Sequence, residues 1–343
     1  MSDLPSTDHE IELLLSTPTP GALEAAASLA GDFMVLGVGG KMGTTTAVML
    51  RRALTAAGRA DAQVYGVSRF SRPEARRELE TLGVRTISCD LADAAALAAL
   101  PAVPNILYLA GQKFGTDGAP GLTWIQNTVV PALVAQRFSD SRIVVFSTGC
   151  VYPFVPVTGP GASEAEPVAF LGEYASTCVG RERVFTHFSG ERGTPLLIYR
   201  LNYAVELRYG VLVDLALKVA RGETVDLTMG WLNCIWQGDA CARAIQCLAL
   251  ASAPPRILNI TGPGKLRIRD LALEFGRRLG REPVFTGTEA PTAWLADARE
   301  SVRLFGPPTV PVPAMLDLVA AHVSAGGRLL GKPTHFETRD GKF

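Results

Sequence analysis

A glycine-rich turn carries the clearest chemical signal in this sequence. In residues 36–43 (LGVGGKMG), Gly37, Gly40 and Gly43 fall three residues apart, after a short apolar run and before a segment with helical spacing. Glycine has no Cβ, so such a turn can bend sharply, admit an anionic group to the backbone and pack the helix closely on the strand. Because the helix N-terminus also offers unpaired N–H groups and a partial positive charge, we predict that the turn holds a dinucleotide pyrophosphate.

A tight strand–helix turn without a ligand is the alternative interpretation of the same glycines. The flanking strand and helix favour the ligand, since a glycine triplet gains its meaning from that context. The residues predicted to contact the dinucleotide here are Gly37, Gly39, Gly40, Lys41, Met42 and Gly43.

Residues at the ends of the next two strands bear on which dinucleotide binds. The second strand ends in Ser68 and Arg69, with no carboxylate at its tip. An acid at this place favours NAD by binding the ribose hydroxyl, and a basic residue accommodates the 2′-phosphate of NADP. We therefore expect Ser68 and Arg69 to contact the cofactor and NADP to be preferred over NAD, unless Arg69 is only a solvated surface residue. Asp90 and Leu91, at the end of the third strand, are expected to border the adenine.

Predicted strands and helices alternate along the first 200 residues. The predicted strands are Phe33–Leu36, Gln63–Val67, Arg85–Ser88, Asn105–Leu109, Arg142–Phe146 and Pro195–Tyr199. The predicted helices between them are Thr44–Ala57, Pro73–Leu82, Ala92–Leu100, Trp124–Arg137 and Tyr174–Phe188. This alternation predicts an α/β fold, a Rossmann-type doubly wound parallel sheet with helices on both faces.

The alternation of predicted strands and helices becomes less regular after residue 200, which suggests a second structural unit. We predict a helical leader over residues 1–31, a dinucleotide-binding domain over 32–199, and a smaller C-terminal α/β cap over 200–343 that binds the substrate. A segment of about 232–260 is predicted to return to the first domain, because it continues the strand and helix pattern.

Composition and charge argue against several functional classes. The chain has 33 Lys and Arg and 33 Asp and Glu, so no basic excess indicates a nucleic-acid surface. No apolar run reaches the roughly 18–20 residues that span a bilayer. The N-terminus lacks the basic start of a signal peptide, so a cytoplasmic location is expected. The six cysteines form no Cys-x-x-Cys pair and the four histidines are dispersed, so no metal site is predicted.

Motifs in chain order resemble those of the extended short-chain dehydrogenase/reductase superfamily, specifically the NAD-dependent epimerase/dehydratase group. The resemblance covers roughly residues 32–290 and begins with the glycine turn, which matches Gly-x-x-Gly-x-x-Gly. Residues 147–152 (STGCVY) match the stretch after the fifth strand, where Thr148 takes the place of the catalytic Ser or Thr. Tyr174 matches the tyrosine of Tyr-x-x-x-Lys, and Glu182 matches a helix glutamate eight residues later.

The resemblance and the position of loops at the carboxyl edge of the sheet imply the remaining site residues. The implied catalytic pair is Thr148 and Tyr174. Further expected cofactor contacts are Leu109, Ala110, Gly111, Lys113, Asn127 and Tyr174 itself. The expected substrate contacts are Lys113, Thr148 and Asn202.

One position departs from the family pattern. The lysine of Tyr-x-x-x-Lys is expected at 178, where this chain has Cys178. In the family that lysine holds the nicotinamide ribose and lowers the tyrosine pKa, and a neutral thiol supplies no such charge. The thiol therefore does not favour general-base catalysis by Tyr174, whereas a neutral phenol can still act as a general acid. Lys113 is a candidate substitute, with a surface loop lysine as the equally weighted alternative.

Two functional hypotheses follow. The first is an NAD(P)-dependent oxidoreductase or epimerase that acts on a sugar or sugar-derived alcohol or carbonyl, with Tyr174 as proton donor or acceptor. Oxidoreduction fits the missing lysine better than epimerisation, which needs a competent base as well as an acid. The alternative is a non-catalytic NAD(P)-binding redox sensor or regulatory protein. The expected partners are a small sugar-like molecule and a second copy of the chain, paired through the helices near residues 124–137 and 174–188.

Overall fold

Seven parallel strands form the central sheet of this computed structural model, which describes residues 5–113, 115 and 118–341. In chain order the strands are Phe33–Leu36, Val64–Ser68, Arg85–Ser88, Asn105–Tyr108, Arg142–Thr148, Leu196–Leu201 and Arg256–Ile260. Their order in space is third, second, first, fourth, fifth, sixth and seventh, and all pairs are parallel. The predicted Rossmann-type doubly wound sheet is confirmed. The strand order reverses beside the first strand, where such sheets open a crevice at their carboxyl ends.

Helices cover both faces of this sheet because its strands are apolar on both sides. The α-helices in chain order are α1 Asp8–Leu15, α2 Pro20–Ser28, α3 Lys41–Ala56, α4 Pro73–Thr81, α5 Ala94–Ala98, α6 Pro120–Trp124, α7 Val130–Arg137, α8 Gly172–Arg192, α9 Val211–Arg221, α10 Gln237–Cys247, α11 Ile268–Leu279, α12 Arg299–Phe305 and α13 Val312–Ser324. Phe33 and Val35 face a core that includes α2, α3 and α10. Met34 and Leu36 face the opposite core, which includes α5, α7 and α8. This alternation is the two-residue period of a strand.

A second apolar core lies in the C-terminal half. Helices α9, α11 and α13 pack around it, beside the short parallel strands Thr224–Asp226 and Val284–Thr286. Ile11 and Leu15 of α1 belong to this core, whereas Ala22 and Ala26 of α2 belong to the core over the sheet. The leader helices therefore contact both parts of the molecule.

The polar C-terminal tail is folded onto the rest of the chain. Leu330 N–H donates to the Arg208 carbonyl over 3.0 Å, and Thr334 donates two hydrogen bonds to the Asp214 carboxylate. Phe336 is buried in the C-terminal core. Gly341 packs against the backbone of residues 171–172, at the start of helix α8. The tail thus runs from the C-terminal part back to the sheet domain.

The structure differs from the sequence-based elements at several boundaries, in one helix that contains a π-helical stretch, and in two helices that were not predicted. The predicted helix Trp124–Arg137 begins earlier, at Pro120, and contains a π-helical stretch at Ile125–Val129 between α6 and α7. Helices α12 and α13 were not predicted. Prolines flank the start of α13, and proline is compatible with the first turn of a helix because no N–H is needed there. Within the described residues, no helix has the length and apolar character needed to cross a bilayer.

Candidate active site

The glycine turn joins the first strand to helix α3 at the crevice. Gly37 has φ +92°, and a Cβ there would lie 2.6 Å from the backbone nitrogen of Ala110. A Cβ on Gly43 would lie 2.4 Å from the carbonyl oxygen of Gly37, so the helix packs directly on the turn. Gly39 and Gly40 are exposed toward the crevice. Two of these glycines thus fit strand and helix together, and two leave the turn open.

The backbone groups of the turn suit an anionic ligand. Gly40 is the N-cap of α3 and offers no side chain to the first-turn N–H groups, among them those of Lys41 and Met42. Such N–H groups have no intrahelical acceptor and lie at the positive end of the helix dipole. A cradle free of Cβ atoms and lined by N–H donors fits a dinucleotide diphosphate. Met42 itself packs partly into the core beneath.

The end of the second strand lies beside this turn. The Ser68 Oγ atom is 2.7 Å from the place that a Cβ on Gly39 would occupy. Arg69 is exposed, and within the described part of the chain its side chain forms no ion pair. Asp90 accepts the N–H of Ala92 over 3.0 Å in the turn after the third strand, and Leu91 is buried. Ser68 and the exposed Arg69 thus border the outer end of the crevice.

Lys41 extends from the first turn of α3 across the crevice. Its Nζ atom lies 3.6 Å from the centre of the Tyr209 ring and 3.4 Å from the Ala204 carbonyl oxygen. Burial lowers the pKa of Lys41 to about 7, against the attraction of Glu206. Its protonation state therefore changes near neutral pH.

The loop after the fourth strand forms the opposite wall of the crevice. Leu109 and Ala110 are partly exposed, and Gly111 is exposed on its open side. On the other side, a Cβ on Gly111 would lie 2.8 Å from the Asn127 amide oxygen. Asn127 is fully buried in the π-helical stretch, and π-helical turns inside α-helices are frequent at functional sites.

The Asn127 side chain holds this loop from beneath. Its Oδ1 atom accepts the Gln112 N–H over 2.8 Å, and its Nδ2 group donates to the Gln112 carbonyl and to Thr177. The same Oδ1 atom accepts a hydrogen bond from Arg181. Asn127 was predicted as a cofactor contact. Since its polar atoms are bound to the protein, we infer that it acts by positioning residues 111–113.

Thr148, Tyr174 and Cys178 meet at the carboxyl end of the fifth strand. The side chains of Thr148 and Cys178 lie close enough to the Tyr174 hydroxyl for each to affect the pKa of its neighbour, and the Thr148 Oγ1 atom accepts the Cys150 N–H over 3.2 Å. Burial raises the pKa of Tyr174 well above its ordinary value, and Cys178 and Cys150 act in the same direction. Burial also raises the pKa of Cys178 to about 11. At neutral pH this cluster therefore holds a protonated phenol and a protonated thiol.

Lys113 lies beside Tyr174. Its Nζ atom is 6.0 Å from the centre of the Tyr174 ring, and burial lowers the pKa of this lysine. Lys113 therefore lies near Tyr174, which fits the interpretation as a site residue better than that as an isolated surface lysine.

An aromatic cluster lies beside Tyr174. Phe154 and Trp294 have ring centres 4.6 Å apart and belong to an apolar cluster that also contains Trp231, Met229 and Tyr174. Arg339 of the C-terminal tail lies over Phe154, 4.1 Å from the ring centre, and donates to Thr292. An arginine on an aromatic face can hold an anionic group beside a ring.

Asn202, a predicted substrate contact, is buried at the end of the sixth strand. Its Nδ2 group donates to the Asn233 amide oxygen over 2.7 Å, and its side chain lies against Gly149. The neighbouring Arg200 forms a buried ion pair with Glu182 at 2.6 Å, and Glu182 also accepts a hydrogen bond from Ser147. These contacts fix the fifth and sixth strands to helix α8, which carries Tyr174.

Comparison with solved structures identifies the architecture. A UDP-glucose 4-epimerase from Thermus thermophilus, solved with NAD, matches with a TM-score of 0.68 and 18% identity, over 85% of this chain and 99% of that one. DesIV, a dTDP-glucose 4,6-dehydratase from Streptomyces venezuelae, matches with a TM-score of 0.69 and 18% identity, over 86% of this chain and 97% of that one. The chain therefore shares the fold of these two enzymes. No protein-family model and no curated protein sequence matches the chain.

A further structure with this fold is that of a protein described as an epimerase from Burkholderia cenocepacia, with a TM-score of 0.69 and 19% identity over 86% of this chain and 99% of that one. The fold implied by the sequence motifs is confirmed. At this level of identity the likeness concerns the architecture, so roles of individual residues rest on the geometry above.

Sequence reasoning missed two residues of this site, Arg181 and Arg339. Arg181 lies seven residues after Tyr174, so helical spacing alone places it on the face of Tyr174 and Cys178. Arg339 had no such signal, because only tertiary contacts bring the tail to Phe154.

Proposed function

We propose that this chain is an NADP(H)-dependent oxidoreductase that acts on a sugar or nucleotide sugar. The observation that carries this proposal is the pairing of Thr148 and Tyr174 beside the glycine-turn crevice, with an aromatic pocket on the substrate side. The glycine cradle supports cofactor binding, and Tyr174 with Thr148 supports proton transfer at a carbonyl or alcohol oxygen.

A bound nicotinamide supplies the hydride acceptor or donor for such a reaction. The chain's own residues then bind and orient the reacting oxygen. Thr148 holds that oxygen by a hydrogen bond, and Tyr174 donates its phenolic proton as the oxygen gains negative charge. Because burial keeps Tyr174 protonated at neutral pH, carbonyl reduction suits the resting state of this site better than alcohol oxidation. Epimerisation needs both directions and is therefore the less favoured variant.

The cofactor proposal predicts a selective effect at Arg69. Arg69→Ala is expected to weaken NADP binding by about tenfold or more, since a charge-assisted hydrogen bond to phosphate contributes roughly 1.5–3 kcal/mol. NAD affinity is expected to change little. Calorimetric titration with both dinucleotides measures this, and Arg77→Ala, another exposed arginine nearby, controls for net charge. Equal weakening of NAD and NADP would remove the argument for NADP.

Lys41 predicts a pH dependence of cofactor binding. Its pKa of about 7 means that it is protonated below neutral pH and largely neutral above it. An anionic dinucleotide favours the ammonium form, so affinity is expected to be highest below pH 7 and to fall as the pH rises above it. In Lys41→Met this dependence should disappear, whereas Lys41→Arg should bind with little change from pH 6 to 8 because arginine stays charged. An identical pH profile in wild type and Lys41→Met would contradict this role.

We also propose a homodimer through the helices near residues 124–137 and 174–188. The supporting observation is a group of large apolar side chains exposed on one helical segment, Leu122, Trp124, Ile125 and Val129. An exposed apolar patch of this kind on a globular surface is typical of a protein interface.

The experiment that tests the function is a turnover assay. Purified protein is incubated with NADPH or NADP and with sugars, sugar acids and nucleotide sugars, and the absorbance of the reduced nicotinamide is followed. Consumption of NADPH that depends on one substrate class supports the enzyme. Tight binding of the dinucleotide without turnover on the whole panel would instead favour a redox sensor.

A further inference from the structure

Arg181 shares a helix face with Tyr174 and Cys178. The three positions are separated by four and three residues on helix α8, which places them one above another. Long side chains on a helix lean toward its N-terminus, so the Arg181 guanidinium covers the turn that contains Cys178. Only 6% of Arg181 is exposed, and Cys178 is fully buried.

The contacts of this guanidinium are to neutral groups. Its Nη1 group donates to the Phe146 carbonyl over 2.9 Å, and its Nη2 group donates to the Asn127 amide oxygen over 2.5 Å. The Nε group is buried without a hydrogen-bond acceptor. Tyr108 lies with its ring centre 6.0 Å from the guanidinium carbon.

No carboxylate of the described residues lies within ion-pair distance of Arg181. The adjacent carboxylate, Glu182, binds Arg200 at 2.6 Å on the other side of the helix. Arginine stays protonated in proteins, and an unpaired buried charge is costly to fold. The chain therefore maintains a permanent cation in its interior, two helical turns after Tyr174, without a structural ion pair to account for it.

The positive charge of Arg181 affects the cluster of Thr148, Tyr174 and Cys178, which we call the catalytic cluster. The ionisable groups around the Tyr174 phenol are Cys178 on its own helix, Cys150 after the fifth strand, Lys113 on the loop after the fourth strand, and Arg181. Arg181 lowers the pKa values of both Tyr174 and Cys178, against the effect of burial.

We propose that Arg181 is a positioning residue that supplies, from the next helical turn, the positive charge absent at Cys178. It acts through Tyr174 by stabilising negative charge on the phenol as the proton leaves, and through Asn127 by fixing the loop 111–113. This inference rests on the proposed role of Tyr174. Lys113 is the weaker source of charge, because burial favours its neutral form while the guanidinium stays charged.

The test is a charge-relocation cycle. Arg181→Met removes the cation, and Cys178→Lys in the same chain places one at the family position. We expect Arg181→Met to lower kcat by about 10²-fold, in the range of general acid–base effects, with a smaller change in KM. Adding Cys178→Lys should raise kcat by at least about tenfold above that of Arg181→Met. Adding Cys178→Ser, which brings no charge, should leave kcat at the level of Arg181→Met. Arg181→Lys should keep most of the activity.

A second measurement does not depend on turnover. In protein labelled at the tyrosine Cζ carbon, NMR follows the ionisation of Tyr174, whose signal is identified by its loss in Tyr174→Phe. The pH at which this signal titrates should rise by roughly one unit or more in Arg181→Met and fall again when Cys178→Lys is added. Melting temperatures of all variants identify any that do not fold. If Arg181→Met does not fold, Arg181→Lys, which keeps the charge, is compared with Arg181→Gln, which removes it.

Two results would overturn the proposal. One is an Arg181→Met protein with wild-type kcat and an unmoved Tyr174 titration. The other is a loss that Arg181→Lys and the added Cys178→Lys change both fail to restore, because such a loss reflects packing rather than charge. If the wild type has no turnover but the Tyr174 titration responds to Arg181, the proposed function fails while the electrostatic coupling stands.

Discussion

Replacement of Tyr174 by phenylalanine is expected to lower kcat by about 10²–10⁴-fold, the usual contribution of a general acid. The phenyl ring keeps the packing against the apolar cluster, so only the hydroxyl that meets Thr148 and Cys178 is lost. Cofactor affinity is expected to change by less than about threefold, which makes the loss one of transition-state stabilisation. Steady-state kinetics with NADPH, together with calorimetric titration, measure both quantities.

Tyr65→Phe is the matched control for this change. Tyr65 lies on the second strand, and its ring is near Arg85, away from the catalytic cluster. Removal of its hydroxyl should leave kcat unchanged. A Tyr174→Phe protein as active as this control would show that Tyr174 is not the proton donor.

A methyl group added at Gly43 is expected to disrupt the cofactor cradle. The new Cβ would lie 2.4 Å from the Gly37 carbonyl oxygen and 2.7 Å from the Val38 Cα atom, and neither backbone atom can rotate away. Helix α3 must then move off the turn, and overpacking of this kind costs about 1–3 kcal/mol. We expect Gly43→Ala to lower the melting temperature and to weaken dinucleotide binding by at least about tenfold.

Gly190→Ala separates this effect from the general consequences of replacing glycine. Gly190 lies inside helix α8, and a Cβ there meets no atom within 4 Å. Alanine is favoured over glycine in a helix interior, so this variant should be as stable as the wild type or more so. Unchanged binding and stability in Gly43→Ala would mean that the close approach of helix and turn is not required.

The sheet could be predicted from the sequence because its strands are buried on both faces. Phe33–Leu36 was predicted with the bounds that the structure has, and this strand is fully buried. Parallel strands of this kind are near-continuous apolar runs, and turn residues bound them clearly. The glycine turn was recognisable for the same reason, since its neighbours on both sides had regular patterns.

The chain from Arg299 onward was harder to predict. Helix α13 begins between two prolines, Pro311 and Pro313, and was not predicted. The tail from Gly331 onward is polar, and among its described residues only Phe336 belongs to the C-terminal core. The position of the tail depends on contacts such as that between Thr334 and Asp214. Such contacts join residues about 120 positions apart, so no local pattern indicates them.

The proposed catalytic cluster could be predicted in part, less fully than the sheet and more fully than the tail. The sequence predicted Thr148 and Tyr174 and located the missing lysine at Cys178, because those positions follow a fixed spacing. What replaces the lysine depends on how side chains lean within the core. Helical spacing places Arg181 on the face of Tyr174 and Cys178, but its positioning role was recognised only from its contacts with Asn127 and Phe146.

Calorimetric titration of the wild-type chain with NADP and NAD shows whether the glycine turn holds a nicotinamide dinucleotide. We predict saturable binding of one dinucleotide per chain, tighter for NADP than for NAD, and weakened by at least about tenfold in Gly43→Ala. A wild-type protein that binds neither dinucleotide in either redox state, while fully folded, would contradict the account.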